Sequence, residues 1–231
     1  MTQNAAQISL TFDTVDGQRA AAIDTLVIAG WTGRDAHALE AHIAELEKLG
    51  IARPKSTPIF YRCAAALLTT GPLIEVIGTD SSGEAEPVLL SLSDGLWLGV
   101  GSDHTDRKVE AIGVTISKQL CAKPVGATLW RFDEVSAHWD DLILRSFATE
   151  GGKRRLYQEG PLRAMRHPTD LMNRYCGTDR TLPPGSAMLC GTLAVHGEIA
   201  PADSYDLEIE DPILKRKITH RYAVKTLPIE G

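Results

Sequence analysis

Positive charge is nowhere concentrated in this sequence. The 231 residues carry a formal net charge of −6, spread along the chain, with no basic patch or stripe. Binding a phosphate backbone needs clustered Lys and Arg, so no nucleic-acid partner is expected. Long apolar runs are also lacking. None approaches the ~20 residues that span a bilayer, and residues 1–7 are polar, without the apolar core and basic flank of an export signal. Cysteine is sparse. Cys63, Cys121, Cys176 and Cys190 show neither close pairing nor metal-type spacing, which fits reduced thiols in a cytosol better than a disulfide framework. No internal repeat or low-complexity tract occurs. Together these absences predict a soluble, cytoplasmic protein with no membrane partner.

At 43% hydrophobic, the chain is long enough for one sizeable core, or for one core with a small appended domain. Strands are expected at residues 8–12 and 23–29, with a turn at Asp16 and Gly17. Residues 30–35 lead into the clearest helix, about 35–49. Its Leu39, Ile43, Leu46 and Leu49 recur at helical spacing, and Gly50 supplies a stop. After a proline-containing link, short strands dominate, at 59–62, 73–77, 88–92, 96–100, 112–117 and 142–147. A second helix is expected over 169–175, and strands return at 187–193, 205–209 and 218–224. Short strands punctuated by Gly, Pro, Asp and Ser predict a mainly antiparallel β-architecture, folded as a barrel or roll. Pro54 and residues 183–185 read as turns rather than linkers.

Carboxylates are the most informative feature. Glu84 and Glu86 stand one residue apart where a loop enters a strand, so both project to one face. The turn signal at 93–95 sends the chain back, and an antiparallel return brings Asp103 beside them. Three oxygen ligands without Cys or His suit a hard divalent ion, Mg²⁺ or Mn²⁺. The same spacing also fits a polar strand edge ending in a solvated loop. On the first helix, His42 and Glu45 lie three apart and share a face, an arrangement in which the carboxylate orients the imidazole and raises its basicity. His37 and Glu40 have the same spacing. His42 borders the apolar stripe, whereas His37 falls nearly opposite, toward solvent. His42 also fits a boundary histidine with no chemical task. Lys118, at the end of the strand expected at 112–117, also fits a solvated lysine. His104 and Asp106 flank Asp103 as candidate partners that orient a ligand.

The order of these motifs resembles the fumarylacetoacetate hydrolase superfamily. Pro58 to Arg62, the turn at 69–72, Glu84 with Glu86, and Ser102 with Asp103 are similar to its Pro-x-x-Phe-x-Lys segment, Glu-x-Glu pair and Asn-Asp pair. Lys118 and residues 123–126 resemble the lysine segment before its Pro-x-Gly-Pro turn. Residues 182–185 and 189–192 resemble its Pro-Gly-Asp and Thr-Gly-Thr-Pro stretches, and 42–46 its His-x-x-Glu-Leu. The likeness spans about 30–224. Within the superfamily, residues 30–35, 101–107 and 117–119 look most like a bacterial branch known mainly as a domain of unknown function. Ser102 replaces the usual Asn, Arg62 the usual Lys, Ser186 a common Asp and Leu193 a common Pro. The spacing from the Glu pair to Asp103 is shorter than usual, and the His-bearing helix carries an insertion after Gly30.

The resemblance implies an α+β, mainly β fold, a β-roll or barrel of mostly antiparallel strands with a few helices. Residues 1–55 would form a small α/β segment carrying the His helix, and 56–231 the catalytic β-domain. It implies that Glu84, Glu86 and Asp103 hold Mg²⁺ or Mn²⁺, with Ca²⁺ a further fit. His42 and Glu45 would activate water, and Lys118 would donate to a developing enolate or bind the substrate carboxylate. Arg34, Arg62, Gln119 and Thr192 would bind substrate, while residues 138–141 begin a peripheral strand. The implied reaction is cleavage of a carbon–carbon bond in an acylpyruvate-like 2-oxo acid through a metal-stabilised enolate, carried out by a homodimer. Decarboxylation or isomerisation of an oxo diacid, and a non-catalytic metal- or ligand-binding protein, stay open beside it.

Overall fold

Two open β-sheets, one of six strands and one of five, organise the chain. The computed structural model describes residues 7–48 and 53–230, the side chains of His42, Glu45, Leu46 and Lys48 excepted. The helix stop expected at Leu49 and Gly50 lies outside the described residues. From edge to edge the larger sheet runs Trp130–Arg131, Gly95–Ser102, Ala85–Leu92, Ser186–Leu189, Thr25–Gly30 and Ile59–Cys63. The smaller runs Lys153–Pro161, Ile143–Glu150, Ser204–Asp211, Arg216–Leu227 and Leu73–Ile77. Pairing within both is antiparallel except where Ser186–Leu189 meets Thr25–Gly30 and Arg216–Leu227 meets Leu73–Ile77. The fold is α+β and mainly β, as expected; neither sheet closes on itself, so of the barrel and roll alternatives the closed barrel does not form.

The middle strands of the larger sheet are apolar on both faces because both faces are covered. Val27, Leu89, Leu98, Val100 and Met188 enter the core between the sheets, where Leu144, Leu207, Ile209, Ile218 and Tyr222 meet them. Ile28, Val88, Leu90, Trp97 and Leu189 point the other way, onto Phe12 and Ile23 of the hairpin Ile8–Thr14/Gly17–Ile23 and onto Val125 and Leu129. Successive strand residues face opposite sides, so a continuous apolar run marks a strand buried twice over. Each such side chain contributes about 1.5–3 kcal/mol when fully buried.

Most expected elements occur, with shifted bounds. Asp35 caps the helix Ala36–Lys48, accepting from the backbone N–H of His37 (2.9 Å) and Ala38 (3.1 Å). The second helix spans Pro168–Cys176. The expected strand at 23–29 is divided at Asp24, its front end belonging to the N-terminal hairpin. One expected strand is absent and one strand present was not expected. Residues 112–117 are not a strand: Gly113 opens the helix Val114–Leu120, whose Ser117 and Lys118 point inward while Ile112 and Ile116 stay exposed. The Lys118–Asp103 ion pair and the Ser117 hydrogen bond to the Asp106 carbonyl, which only the helix allows, outweigh the β-propensity of the branched residues. The strand Lys153–Pro161 went unread because its exposed positions carry Lys153, Arg154 and Glu159 and dilute the apolar alternation. The six-stranded sheet also crosses the division expected at residue 55, since Thr25–Gly30 lies inside it between Ser186–Leu189 and Ile59–Cys63.

The hairpin Ala85–Leu92/Gly95–Ser102 positions the site. Its two-residue turn sets Ala85 opposite Ser102 and Glu86 opposite Gly101. At Gly101 a Cβ would stand 2.7 Å from Val88 Cγ2 and 2.8 Å from the Pro124 carbonyl oxygen. The backbone oxygen has no room to retreat. Gly101→Ala should therefore lower the stability measured by urea denaturation by about 1–3 kcal/mol, and an unchanged midpoint would show that the contact is not tight.

Candidate metal centre

Beyond the regular ladder, the Asp103 N–H donates to the Glu84 carbonyl (3.0 Å), which keeps the strands in register for one more pair. Ser102 Oγ accepts from the Glu84 N–H (3.0 Å) and from Tyr222 Oη (2.9 Å). One carboxylate oxygen each from Glu84, Glu86 and Asp103 then lie within 4.8 Å of one another. Glu86 and Asp103 are 2% and 0% exposed, whereas Glu84 is partly open to solvent. The triad thus has a closed back and an accessible side.

Cations surround it. Lys118 Nζ donates to Asp103 Oδ2, and Lys123 Nζ lies 2.9 Å from Oδ1 and donates to the His104 carbonyl (2.6 Å). Burial alone would raise the Asp103 carboxyl, but the two ammoniums hold it below the ordinary carboxylate range. Burial likewise works against the Lys118 charge, and Asp103 followed by Glu84 raises that ammonium above its ordinary value instead. Glu86 goes the other way. Burial, then the Asp103 charge, pushes it well above the usual range, and Lys118 and the Gly191 N–H (2.7 Å to Oε2) offset only part of this. Gly191 is required there: its φ is +99°, and a Cβ would overlap the Thr32 hydroxyl.

Arg107 borders Glu84 at 3.2 Å and also binds Glu110 (2.8 Å) and Ser82 Oγ (2.7 Å). Its position follows from Asp106, whose carboxylate caps the short helix Arg107–Glu110 by accepting from the Val109 N–H (2.9 Å). The His104 ring lies between Tyr222 Oη (3.1 Å) and Ser81 Oγ (2.9 Å). Burial, with Lys123 and Arg107 adding to it, pushes that imidazole down to about 3, so it is neutral.

Of the other expected site residues, only Lys118 touches the triad among the described residues. Lys118 sits on the helix Val114–Leu120 rather than at a strand end. Thr192 Oγ1 donates to the Ala85 carbonyl (2.8 Å) and accepts from Gln158 Nε2 (2.7 Å), beside the strand that carries Glu86. Gln119 Oε1 accepts from the Ala64 N–H (3.1 Å). Arg62 donates to Tyr175 Oη (3.0 Å), and Arg34 makes a bidentate pair with Asp140, both bonds 2.7 Å. Residues 139–141 form a short 3₁₀ turn with Trp139 buried. The side chains of His42 and Glu45 lie outside the described residues. Lys123, Arg107 and Gly191 fall within the motif stretches but were given no role, and Gln158 was not singled out. A lone lysine in the otherwise apolar stretch 120–126 was the available signal for Lys123. Gln158 had none, because its strand was missed.

The donor set fits a hard divalent cation: three carboxylate oxygens, with neither His nor Cys among them. A bound dication would also compensate the Glu86 charge, which burial beside Asp103 disfavours. A carboxyl with a raised folded pKa holds its proton more tightly folded than unfolded. Glu86 therefore costs the metal-free chain stability as pH rises above the unfolded value of about 4.3. Asp103 acts oppositely: its contribution is present above the unfolded value of about 3.9 and is lost as pH falls through the depressed one. Glu86→Gln should accordingly stabilise the metal-free protein at about pH 8 by ~1 kcal/mol, read from the urea midpoint, while abolishing Mn²⁺ binding in calorimetry. In the unsubstituted protein, Mn²⁺ should displace the Glu86 proton and bind more weakly at about pH 6 than at about pH 8. Equal affinities would remove Glu86 from the ligand set.

A protein-family model described as "Protein of unknown function (DUF2848)" matches residues 29–222. No curated protein sequence matches the chain. Among solved structures, the chain is similar to an Oleispira antarctica protein described as a fumarylacetoacetate isomerase/hydrolase. Identity there is 18% and the TM-score 0.68, over 93% of this chain and 99% of that one. A Burkholderia cenocepacia protein described as a fumarylpyruvate hydrolase matches at 18% identity and TM-score 0.65, over 99% of both chains. A 2-keto-3-deoxyarabinonate dehydratase matches at 16% identity and TM-score 0.63, over 89% of this chain and 74% of that one. At such identities the likeness establishes a shared fold, that of fumarylacetoacetate hydrolase family proteins. Among the described residues, no helix is long and apolar enough to cross a membrane.

Proposed function

We infer that this chain, which belongs to the DUF2848 family, is a divalent-metal-dependent hydrolase that cleaves a carbon–carbon bond in an acylpyruvate-like 2-oxo acid. The observation that carries this reading is the convergence of Glu84, Glu86 and Asp103 at the end of a buried hairpin, with the Lys118 ammonium against Asp103. Glu84, Glu86 and Asp103 would hold Mg²⁺ or Mn²⁺ there, which would supply Lewis acidity toward an enolate oxygen. Lys118 Nζ lies against Asp103 at the edge of the ligand set and keeps its proton, and it is assigned the donor to a developing oxyanion. Ser102 and His104, the chain neighbours of Asp103, are fully buried and both hydrogen-bonded to the buried Tyr222 hydroxyl, so this end of the hairpin is fixed from the second sheet. Activation of the attacking water is assigned to His42 with Glu45, on the helix Ala36–Lys48. Support also comes from the fold shared with proteins described as a fumarylpyruvate hydrolase and a 2-keto-3-deoxyarabinonate dehydratase, both names for enzymes of oxo acids.

A panel of acylpyruvates and oxo diacids, each assayed with Mg²⁺ and with Mn²⁺, tests the assignment. Turnover should require the metal, and Glu86→Gln should lower kcat at least about 100-fold. His42→Ala should stop hydrolysis of an acylpyruvate. Decarboxylation of an oxo diacid needs no attacking water and should survive that exchange, so its persistence alone would reassign the enzyme as a decarboxylase. Absence of turnover across the panel with either metal would end the enzyme reading.

A further inference from the structure

Lys123 takes no step in the proposed reaction, yet it is 0% exposed and directed at the same carboxylate as Lys118. One buried cation suffices to compensate one buried carboxylate. Here both Asp103 oxygens are occupied, Oδ2 by Lys118 and Oδ1 by Lys123. The second ammonium therefore counts against the charge a metal ion would see.

The local charges can be balanced residue by residue. Glu84, Glu86 and Asp103 carry three negative charges when ionised, and Lys118 and Lys123 return two positive ones. Arg107 and Glu110 form an adjacent pair that adds nothing net. One negative charge is left to receive a divalent ion, so the ion by itself leaves an excess positive charge in a site whose back is closed. Affinity at oxygen sites rises with the charge of the ligands, and an uncompensated charge away from water is costly. A carboxylate that chelates the ion removes the excess.

We propose that Lys118 and Lys123 make this a site for a divalent ion and a chelating 2-oxo carboxylate together, each bound weakly in the absence of the other. The inference rests on the metal-site reading above and adds to it an obligatory coupling between ion and substrate. By linkage, the factor by which the carboxylate tightens the ion equals the factor by which the ion tightens the carboxylate.

Mn²⁺ titration of the full chain by calorimetry or electron paramagnetic resonance tests this, with free Mn²⁺ corrected for complexation in the buffer. Oxalate, a non-reacting planar chelator, is the probe, and acetate the anion that cannot chelate. Mn²⁺ should bind at least about tenfold tighter with oxalate, and no tighter with acetate. Lys123→Met should bind Mn²⁺ alone about tenfold tighter than the unsubstituted protein and lose most of the oxalate effect. Where Lys123→Met does not fold by circular dichroism, Lys118→Met should show the same gain for Mn²⁺ alone. Mn²⁺ binding of equal strength with and without oxalate would overturn the coupling and leave the metal site standing. No Mn²⁺ binding under either condition would overturn the metal site itself.

Discussion

A fully buried carboxylate held between two ammoniums is the constraint on which the rest of the site depends. Asp103 ends the central hairpin, Lys118 reaches it from the helix Val114–Leu120, and Lys123 from the short strand Lys123–Pro124, which pairs with Leu68–Thr69. Three separate pieces of chain are thereby fixed to one point. A seven-residue helix has little stability of its own, and this one is anchored at its buried face by Lys118 and by Ser117, whose Oγ donates to the Asp106 carbonyl at 2.6 Å. Removing one partner of such a buried ion pair strands a charge, at a cost of about 3–5 kcal/mol. The chemistry proposed for the centre uses the groups that hold it together.

The polar network also explains where the site lies between the two sheets. Over most of their facing surfaces the sheets meet through aliphatic and aromatic side chains. At the carboxylate end they meet through hydrogen bonds instead. Tyr222 reaches Ser102 and His104, and Gln158 accepts from the Ala85 N–H (3.0 Å) and Ser146 Oγ (2.8 Å) while donating to Thr192 and the Leu193 carbonyl. Buried polar groups with all partners present specify one arrangement, because each lost bond leaves an unsatisfied atom. The strand entry at Ala85 is therefore held from both sheets, and the two glutamates beside it inherit that precision.

Glu84, Glu86 and Asp103 were legible in the sequence because a short hairpin with a marked turn connects them. Strand alternation placed the glutamates, and the turn at Ser93 and Asp94 set the return register. The helix Val114–Leu120 was illegible for a related reason. Its branched residues suggested a strand, and what keeps it helical is the inward pull on Ser117 and Lys118, which no local pattern records. Arg34 and Arg62 were expected to bind substrate, and in the fold Asp140 and Tyr175, both distant in sequence, engage them.

Composition and periodicity were enough for a mainly β chain with a central hairpin and three convergent carboxylates, since those depend on neighbours a few residues apart. The open sheets, the burial of Glu86 and the second ammonium on Asp103 arose only on folding. Each depends on groups brought together from distant parts of the chain into a medium where water no longer screens them, and there the balance of charge is set by which residues meet.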